Sequence, residues 1–388
     1  MNILFYLGMT LDPEHGGIHR VTDVLMHGLS TSHQVYCLMQ RKTRQTLLSS
    51  HFFHVPNQQD ILGEENRNYI KKLCADLSIQ VVINQEGITP YLTAFILTTI
   101  PVHIQVISVI HTSLTLIYGA KSRIPLSIKH YIPNKILDVT DTLALRYFRH
   151  KYKTQYRILL ERSDKVVVLD ESLKTDAMKF LNVKIPSTQI CAIQNPISFP
   201  MTEYISTDQK QRTVLYVGRL SKEKGLDLLL NIWKQVESNH PEWQLVIVGE
   251  GTKRAQIEKN IQKFKLRHVS LTGKQNPTPY YQVASIFLMT SLFEGFPLVL
   301  LEAMNYSIVP LAFGSFSSVH TIIEDEKTGY IIFPFQIRQY ANVLSNVMDN
   351  HELRKKLARN AYEKSKEFSL ETILAKWEKL FESLQYKN

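Results

Sequence analysis

Two acids stand eight positions apart in the run FEGFPLVLLEAM, residues 293–304: Glu294 and Glu302. Carboxylates accept hydrogen bonds from hydroxyl groups, so two of them at the start of one helix can hold a polyhydroxylated ligand. The plainer alternative is an N-terminal acid stabilised by the helix dipole plus an ordinary helical glutamate, and for either acid alone that alternative is preferred. Pro297 suits a first helical turn and has no amide to donate. The amides of Gly295, Phe296, Leu298 and Val299 around it could cradle an anion or a hydroxyl.

A second cluster lies in VGRLSKEKG, with Gly218, Arg219, Lys222, Lys224 and Gly225. Arg219 can meet a diphosphate with a planar fork and Lys224 with a point charge, and the helix LDLLLNIWKQV beginning just beyond would turn its dipole the same way. A basic, solvated loop is an equally good account of the same residues. Gly249 and Gly251 form a lone G-x-G, for which an ordinary turn is favoured. VSLTG ends at Gly273 and Lys274, where backbone could line a cleft. Gly16 and Gly17 precede the helical pattern IHRVTDVLMHGL and make an anion-compatible loop, or a flexible turn. His111 closes the apolar run VISVIH, a place where a histidine is more often structural than functional.

These residues need elements to position them. The chain has 388 residues, 44% hydrophobic and 21% charged, with a formal charge of +10. That is enough for two soluble domains, and the charge points to an anionic partner. Short apolar runs alternate with helical patterns throughout: NILFYLG, QVYCLM, VVIN, IQVISVIH and KVVVLD, then TVLYVG, QLVIVG, VSLTG, IFLMTS, IVPLAF and GYIIF. Such runs predict parallel sheets covered on both faces, in two doubly wound α/β domains with ligands at the carboxyl ends of the strands and the site in the cleft between the domains. The boundary falls in QNPISFPMTEYISTDQKQ, dividing the chain into 1–195, 196–368 and a terminal helix, 369–388. That helix carries Ile373, Leu374, Trp377, Leu380, Phe381 and Leu384 on one stripe, which must bury against one of the domains.

The N-terminal residues read as a strand and its loop, with no basic leader. The longest apolar stretch is broken by Pro101, His103 and Gln105 and makes a poor spanning helix. A cytoplasmic protein is expected, with any membrane attachment at the surface. Cys37, Cys74 and Cys191 read as free thiols, and no metal-ligand spacing is present. Between Lys121 and Arg157 nine cations face only Asp138 and Asp141, with Tyr131, Tyr147, Phe148, Tyr152 and Tyr156 interleaved. This region could lie on an anionic membrane face or be a solvated helical face; with no nucleic-acid module beside it, nucleic acid is the weakest partner.

EGFPLVLLE resembles the Glu-seven-residues-Glu signature of the retaining GT-B glycosyltransferases of family four. VGRLSKEKGLD, LVIVGEG, LTG, the Gly-Gly loop and IHTS follow that family's order over almost the whole chain. The resemblance implies two Rossmann-like domains facing across a cleft and transfer of a sugar from a UDP- or GDP-sugar to a glycan or lipid-linked acceptor in cell-surface polysaccharide synthesis. It implies no metal and no further cofactor. Arg219 and Lys224 are similar to the pair that binds the donor diphosphate, and Glu294 to the acid facing the reacting carbon. Glu302 is similar to the ribose-binding acid, residues 295–298 to the backbone cradle, and Gly16-Gly17 to the loop that closes on the phosphate. His111 is similar to the donor-sugar histidine, and 273–275 to the base-binding edge. Two departures stand out: His19 where many members have an acid, and the serine-rich GSFSSVHTII where many have glycine and an acid. The same fold could carry a sugar-nucleotide epimerase, a hydrolase or a non-catalytic sugar-nucleotide-binding subunit.

Overall fold

The computed structural model describes residues 1–14, 16–42, 50–119, 134–186 and 188–384. His15 and, from the basic region, Lys121, Arg123, Lys129 and Tyr131 lie outside the described residues. The chain divides into two compact units: Met1–Pro196 with Leu370–Asn388, and Ile197–Ser369.

Among the described residues of the first unit, seven parallel strands form one sheet: β1 (Asn2–Leu7), β2 (Gln34–Met39), β3 (Phe52–His54), β4 (Val81–Asn84), β5 (Gln105–Ile110), β6 (Lys165–Val168) and β7 (Ile190–Ala192). Their order is β3-β2-β1-β4-β5-β6-β7. β4 and β5 are buried along their whole length, as strands covered on both faces must be. The helix Gly17–Leu29 buries Val21, Leu25, Met26 and Leu29, a stripe at helical spacing. The helix Leu370–Glu382 belongs to this unit and buries Ile373, Trp377, Leu380 and Phe381. Each fully buried aliphatic or phenyl side chain of this kind contributes roughly 1.5–3 kcal/mol. It packs on the helix Gly17–Leu29: a Cβ added at Gly28 would come within 2.7 Å of Leu374 Cδ1. His33 Nε2 also lies 3.0 Å from Glu378 Oε1.

In the second unit the strands are β8 (Thr213–Val217), β9 (Gln244–Val248), β10 (Val269–Gly273), β11 (Ile286–Met289), β12 (Val309–Phe313) and β13 (Tyr330–Ile332), ordered β10-β9-β8-β11-β12-β13. Its core gathers Leu229, Leu230 and Trp233 from the helix Leu226–Val236 with Tyr340, Leu344 and Val347 from the helix Ile337–Asp349, over Leu245, Ile247, Leu288 and Leu311 of the sheet. Both sheets reverse their strand order beside their first strand, between β1 and β4 and between β8 and β11. Open parallel sheets bind ligands outside the carboxyl ends at such a switch point.

Cys37 and Cys74 are buried, Cys191 is half-buried, and all three are free thiols. Burial pushes the Cys74 thiol up to about 12, so it is unreactive at neutral pH. Among the described residues no helix is long and apolar enough to cross a membrane.

Candidate functional site

In the second unit the loops after β8 and β11 are locked together through the backbone carbonyls of Glu223 and Lys224. Leu292 N donates to Glu223 O at 2.7 Å, and Thr290 Oγ1 donates to Lys224 O at 3.1 Å. Gly225 makes this approach possible. Its φ is +64°, and a Cβ there would sit 2.1 Å from Thr290 O. Gly249, after β9, has φ +148° and a Cβ there would meet Gly218 O at 1.9 Å. The lone G-x-G is thus a packing turn that brings the β8 and β9 loops into contact.

This locking brings two of the chemistry-bearing residues together. Lys224 Nζ donates to Glu294 Oε1 at 2.7 Å, with side-chain exposures of 22% and 13%. Ser291 Oγ donates to the same oxygen at 2.7 Å. None of the described residues donates to Glu294 Oε2. One oxygen is therefore fixed and the other remains an acceptor. Arg219 is exposed beside the pair in sequence, at the end of β8. The helix Leu226–Val236 starts immediately after Gly225, so its positive end lies at the same loop. The local field is felt by neighbours. Burial first, then the charges of Glu294 and Glu223, holds the Tyr216 hydroxyl well above its ordinary range. For Glu223, burial acts upward but is outweighed by the Ser221 hydroxyl, its own backbone amide, Lys224 and Arg219, so its carboxyl lies below its ordinary value.

The turn after β11 runs into the helix Leu298–Asn305, with Pro297 at its cap rather than inside its first turn. Phe296, Pro297 and Leu298 are buried, Phe296 against Phe368 with ring centroids 5.9 Å apart. Their side chains face the core, which leaves backbone as the part of this turn that can meet a ligand. Two serines of the departing GSFSSVHTII segment brace it. Ser318 Oγ donates to Gly295 O at 2.7 Å, and Ser315 Oγ donates to Ser291 O at 2.6 Å.

Glu302 sits elsewhere. It is fully buried. Tyr281 OH donates to its Oε2 at 2.9 Å, and Ser198 Oγ donates to its Oε1. The two acids of the opening motif thus have separate surroundings, one at a cationic loop and one among buried hydroxyls. Lys274 is exposed just after β10.

In the first unit, Gly16 caps the helix Gly17–Leu29 with φ +152°. Asp12 N donates to His19 Nδ1 at 3.2 Å, which folds the preceding loop onto the helix. At the ends of β4 and β5, His111 Nε2 lies 2.6 Å from Gln85 Oε1, and both residues are buried. Burial lowers the His111 imidazole to about 4. Of the basic region, Arg149 is not a free surface charge. Its Nε donates to Phe180 O at 2.6 Å and a terminal nitrogen to Lys179 O at 2.9 Å, at the C-terminus of the helix Glu171–Leu181.

Ser198, Tyr281, Ser291, Ser315, Ser318 and Gln85 were not among the sequence candidates. Their only signal was a polar group at a strand end, in a turn or, for Tyr281, inside the short helix Thr278–Val283, which most such elements carry.

Residues 203–364 match the family described as glycosyl transferases group 1. The amylovoran biosynthesis glycosyltransferase AmsD of Erwinia amylovora is 32% identical over 220 residues, 55% of this chain and 61% of that protein. The poly(ribitol-phosphate) alpha-N-acetylglucosaminyltransferase of Staphylococcus aureus is 28% identical over 238 residues, 60% of this chain and 47% of that one. The chain thus spans about half to three-fifths of the length of these relatives. The crystal structure of Anabaena HepE in complex with UDP superposes with a TM-score of 0.77 at 15% identity, covering 99% of this chain and all of that one. The sucrose-phosphate synthase of Thermosynechococcus elongatus gives 0.76 at 17% identity, covering 98% of each. The shared fold is GT-B, two Rossmann-like domains in one chain.

Proposed function

We propose, from the match of residues 203–364 to the glycosyl transferases group 1 family, that the protein is a retaining glycosyltransferase. It moves a sugar from a UDP- or GDP-sugar to a glycan or lipid-linked acceptor in cell-surface polysaccharide synthesis. The observation that carries this is the Lys224–Glu294 pair, 2.7 Å apart at the β8/β11 switch point. It sets a cation suited to a diphosphate against a carboxylate suited to sugar hydroxyls. The names of the two relatives, one in amylovoran biosynthesis and one a poly(ribitol-phosphate) alpha-N-acetylglucosaminyltransferase, support the acceptor class. UDP in the HepE structure supports the donor class.

In this scheme Lys224 leaves Glu294 Oε1 for the diphosphate, and Arg219 joins it. The amide groups at the starts of the helices Leu226–Val236 and Leu298–Asn305 add to the positive field. Together they counter the charge that grows on the departing nucleoside diphosphate, the largest electrostatic demand of the reaction, without a metal ion. Glu294 Oε2 accepts from a sugar hydroxyl beside the reacting carbon. The acceptor attacks on the face from which the diphosphate leaves, and a phosphate oxygen takes its proton. The backbone of residues 295–298 holds sugar and phosphate, and the edge at Gly249 and Lys274 holds the nucleotide. Glu302 is assigned to the ribose; it is fully buried, so a ribose hydroxyl reaches it only by displacing groups now packed around it. The first unit is assigned His111 and the Gly16-Gly17 turn as its own donor contacts.

The test is a thermal-shift screen with UDP-glucose, UDP-galactose, UDP-N-acetylglucosamine and GDP-mannose, since a ligand that binds only the folded state stabilises it. Transfer is then measured with and without EDTA. A donor that shifts the melting and is transferred in EDTA is expected. No shift with any donor would sink the proposal, and full-rate donor turnover without acceptor would favour an epimerase or hydrolase.

Membrane attachment belongs to the same proposal. On the helix Asn134–Lys151, Ile136, Val139, Leu143 and Tyr147 are each more than half exposed and recur every three to four residues. Arg146, Lys151 and Lys153 are exposed near the same end. An apolar stripe edged by cations suits an anionic bilayer surface. Replacing Arg146, Lys151 and Lys153 by glutamine is expected to reduce flotation with phosphatidylglycerol vesicles about tenfold, and unchanged flotation would remove this role from the patch.

A further inference from the structure

We propose that Gln85 is a positioning residue that fixes the ring tautomer of His111, and so decides which nitrogen His111 presents to a donor sugar. The claim about the ring stands on the first unit alone, whereas the claim about the sugar rests on the function proposed above.

Gln85 directly follows β4 and His111 directly follows β5, neighbouring parallel strands in which Asn84 pairs with Ser108. Both side chains emerge at the carboxyl end of the sheet, the end at which such sheets bind ligands. Gln85 is 1% exposed and His111 7%, and the contact between Oε1 and Nε2 is 2.6 Å. A carboxamide oxygen only accepts, so Nε2 must carry the proton. Nδ1 is then the lone-pair nitrogen, an acceptor for a hydroxyl. Burial keeps the ring neutral through the physiological range, which preserves this division into one donor and one acceptor.

The end of β4 is held firmly. Gln85 N donates to Tyr6 O at 3.1 Å. Glu86 N donates to Asn84 Oδ1 at 3.0 Å, and Glu86 Oε1 accepts from Gly8 N at 2.7 Å. Gln85 therefore presents its amide from a fixed backbone. Its Nε2 is buried with no hydrogen-bond partner among the described residues. An unpaired buried N–H is costly, and methionine would fill the same space without it. The contact of Oε1 with His111 is the gain that accounts for an amide at this place.

The decisive measurement is the ring-nitrogen spectrum of histidine-15N-labelled protein, with His111 assigned through His111→Phe. The wild type is expected to show the Nε2–H tautomer, Gln85→Met a mixture, and Gln85→Glu, which keeps an accepting oxygen, a proton held on Nε2. A wild-type ring protonated on Nδ1, or a Gln85→Met ring identical to the wild type's, would overturn the assignment whatever the protein's activity. For the sugar, the panel donor with the largest thermal shift is used in kinetics. Gln85→Met is expected to lower kcat about tenfold, with affinity for the free nucleoside diphosphate within about twofold and partial recovery in Gln85→Glu. A changed tautomer with wild-type kcat would overturn the role toward the sugar. A wild type with the Nε2–H ring and no transfer activity would instead strike the proposed function.

Discussion

Glu294→Gln and Lys224→Met should move nucleotide binding in opposite directions. Lys224 is held by Glu294 at 2.7 Å, so a diphosphate must draw the cation away from its partner and then lie beside the carboxylate. Two unit charges about 5 Å apart at an effective dielectric of about 20 interact by about 3 kcal/mol. The pair keeps some solvent contact, 22% for the lysine and 13% for the glutamate, and freeing Lys224 costs side-chain order, so about 1 kcal/mol of this is expected to survive. Glu294→Gln, nearly identical in shape, should therefore tighten binding of the free nucleoside diphosphate about fivefold. It should also lower kcat about 100-fold or more, because the carboxylate beside the reacting carbon is gone. Lys224→Met removes a charge-assisted hydrogen bond to the diphosphate, about 1.5–3 kcal/mol, and should weaken the same nucleotide roughly 10- to 150-fold. Calorimetric titration with free UDP and GDP reads both, and transfer kinetics reads the catalytic arm. Equal weakening in the two variants would refute the reasoning, because Glu294 would then be supporting the nucleotide rather than competing for Lys224.

Tyr281→Phe leaves Glu302 Oε2 without its 2.9 Å donor in a fully buried place, and should cost the second unit about 1–3 kcal/mol in urea denaturation; an unchanged midpoint would mean that water replaces the hydroxyl. Gly225→Ala puts a methyl group 2.1 Å from Thr290 O at a φ of +64°. It should open the β8–β11 contact and abolish the nucleotide-induced thermal shift, and a wild-type shift would show that the two loops need not touch. His111, lowered to about 4 from an ordinary 6.5, takes up its proton later in the folded than in the unfolded chain. Stability is therefore complete above about pH 6.5 and is lost as pH falls toward 4, by about 3 kcal/mol in all and about 2 kcal/mol by pH 5. The stability difference between wild type and His111→Phe should shrink by that amount between pH 7.5 and 5, and a constant difference would place the ring in contact with solvent.

The fold was legible where strands are buried on both faces. VVIN and QVISVI have no polar face to blur them, and each became a strand buried throughout. Phe52–His54 and Ile190–Ala192 were missed because each has three residues and sits at a sheet edge, so neither needs an apolar run. The loops that carry chemistry were legible for a related reason. A cationic stretch and an acid each follow a buried strand, and strand ends are where such sheets act. Their pairing was not legible. Lys224 and Glu294 are 70 positions apart, and only the adjacency of β8 and β11 makes them neighbours. Gln85 was hidden by the same rule, since its partner His111 belongs to the next strand. The serines of GSFSSVHTII first stood out only as a departure from a pattern, yet Ser315 and Ser318 each hold a carbonyl of the turn.

The two acids of the opening motif separate for a geometric reason. Glu294 precedes the helix, in a turn still open on one side. Glu302 is four residues past Leu298, about one turn and 6 Å further along the axis, where the helix is already packed on every side. Nearly every residue from Leu298 to Asn305 is buried, so a charge in this stretch must find its partners within the protein. It finds one in Tyr281, and another in Ser198 on the segment that opens the second unit. The next helical turn ties the same segment down. Asn305 Oδ1 accepts from Thr202 N at 3.1 Å, and Asn305 Nδ2 donates to Pro200 O at 3.0 Å. The helix is thus fixed at its start by the serine-braced turn and at its end by residues 198–202. A ligand that recruits Glu302 must open the buried packing around Tyr281 and Ser198, whereas Glu294 already presents Oε2 from an open turn. The cost of engaging the two acids therefore differs. Substitutions at Ser198, which lies in neither sequence motif, should change binding of the nucleoside while leaving recognition of the sugar intact.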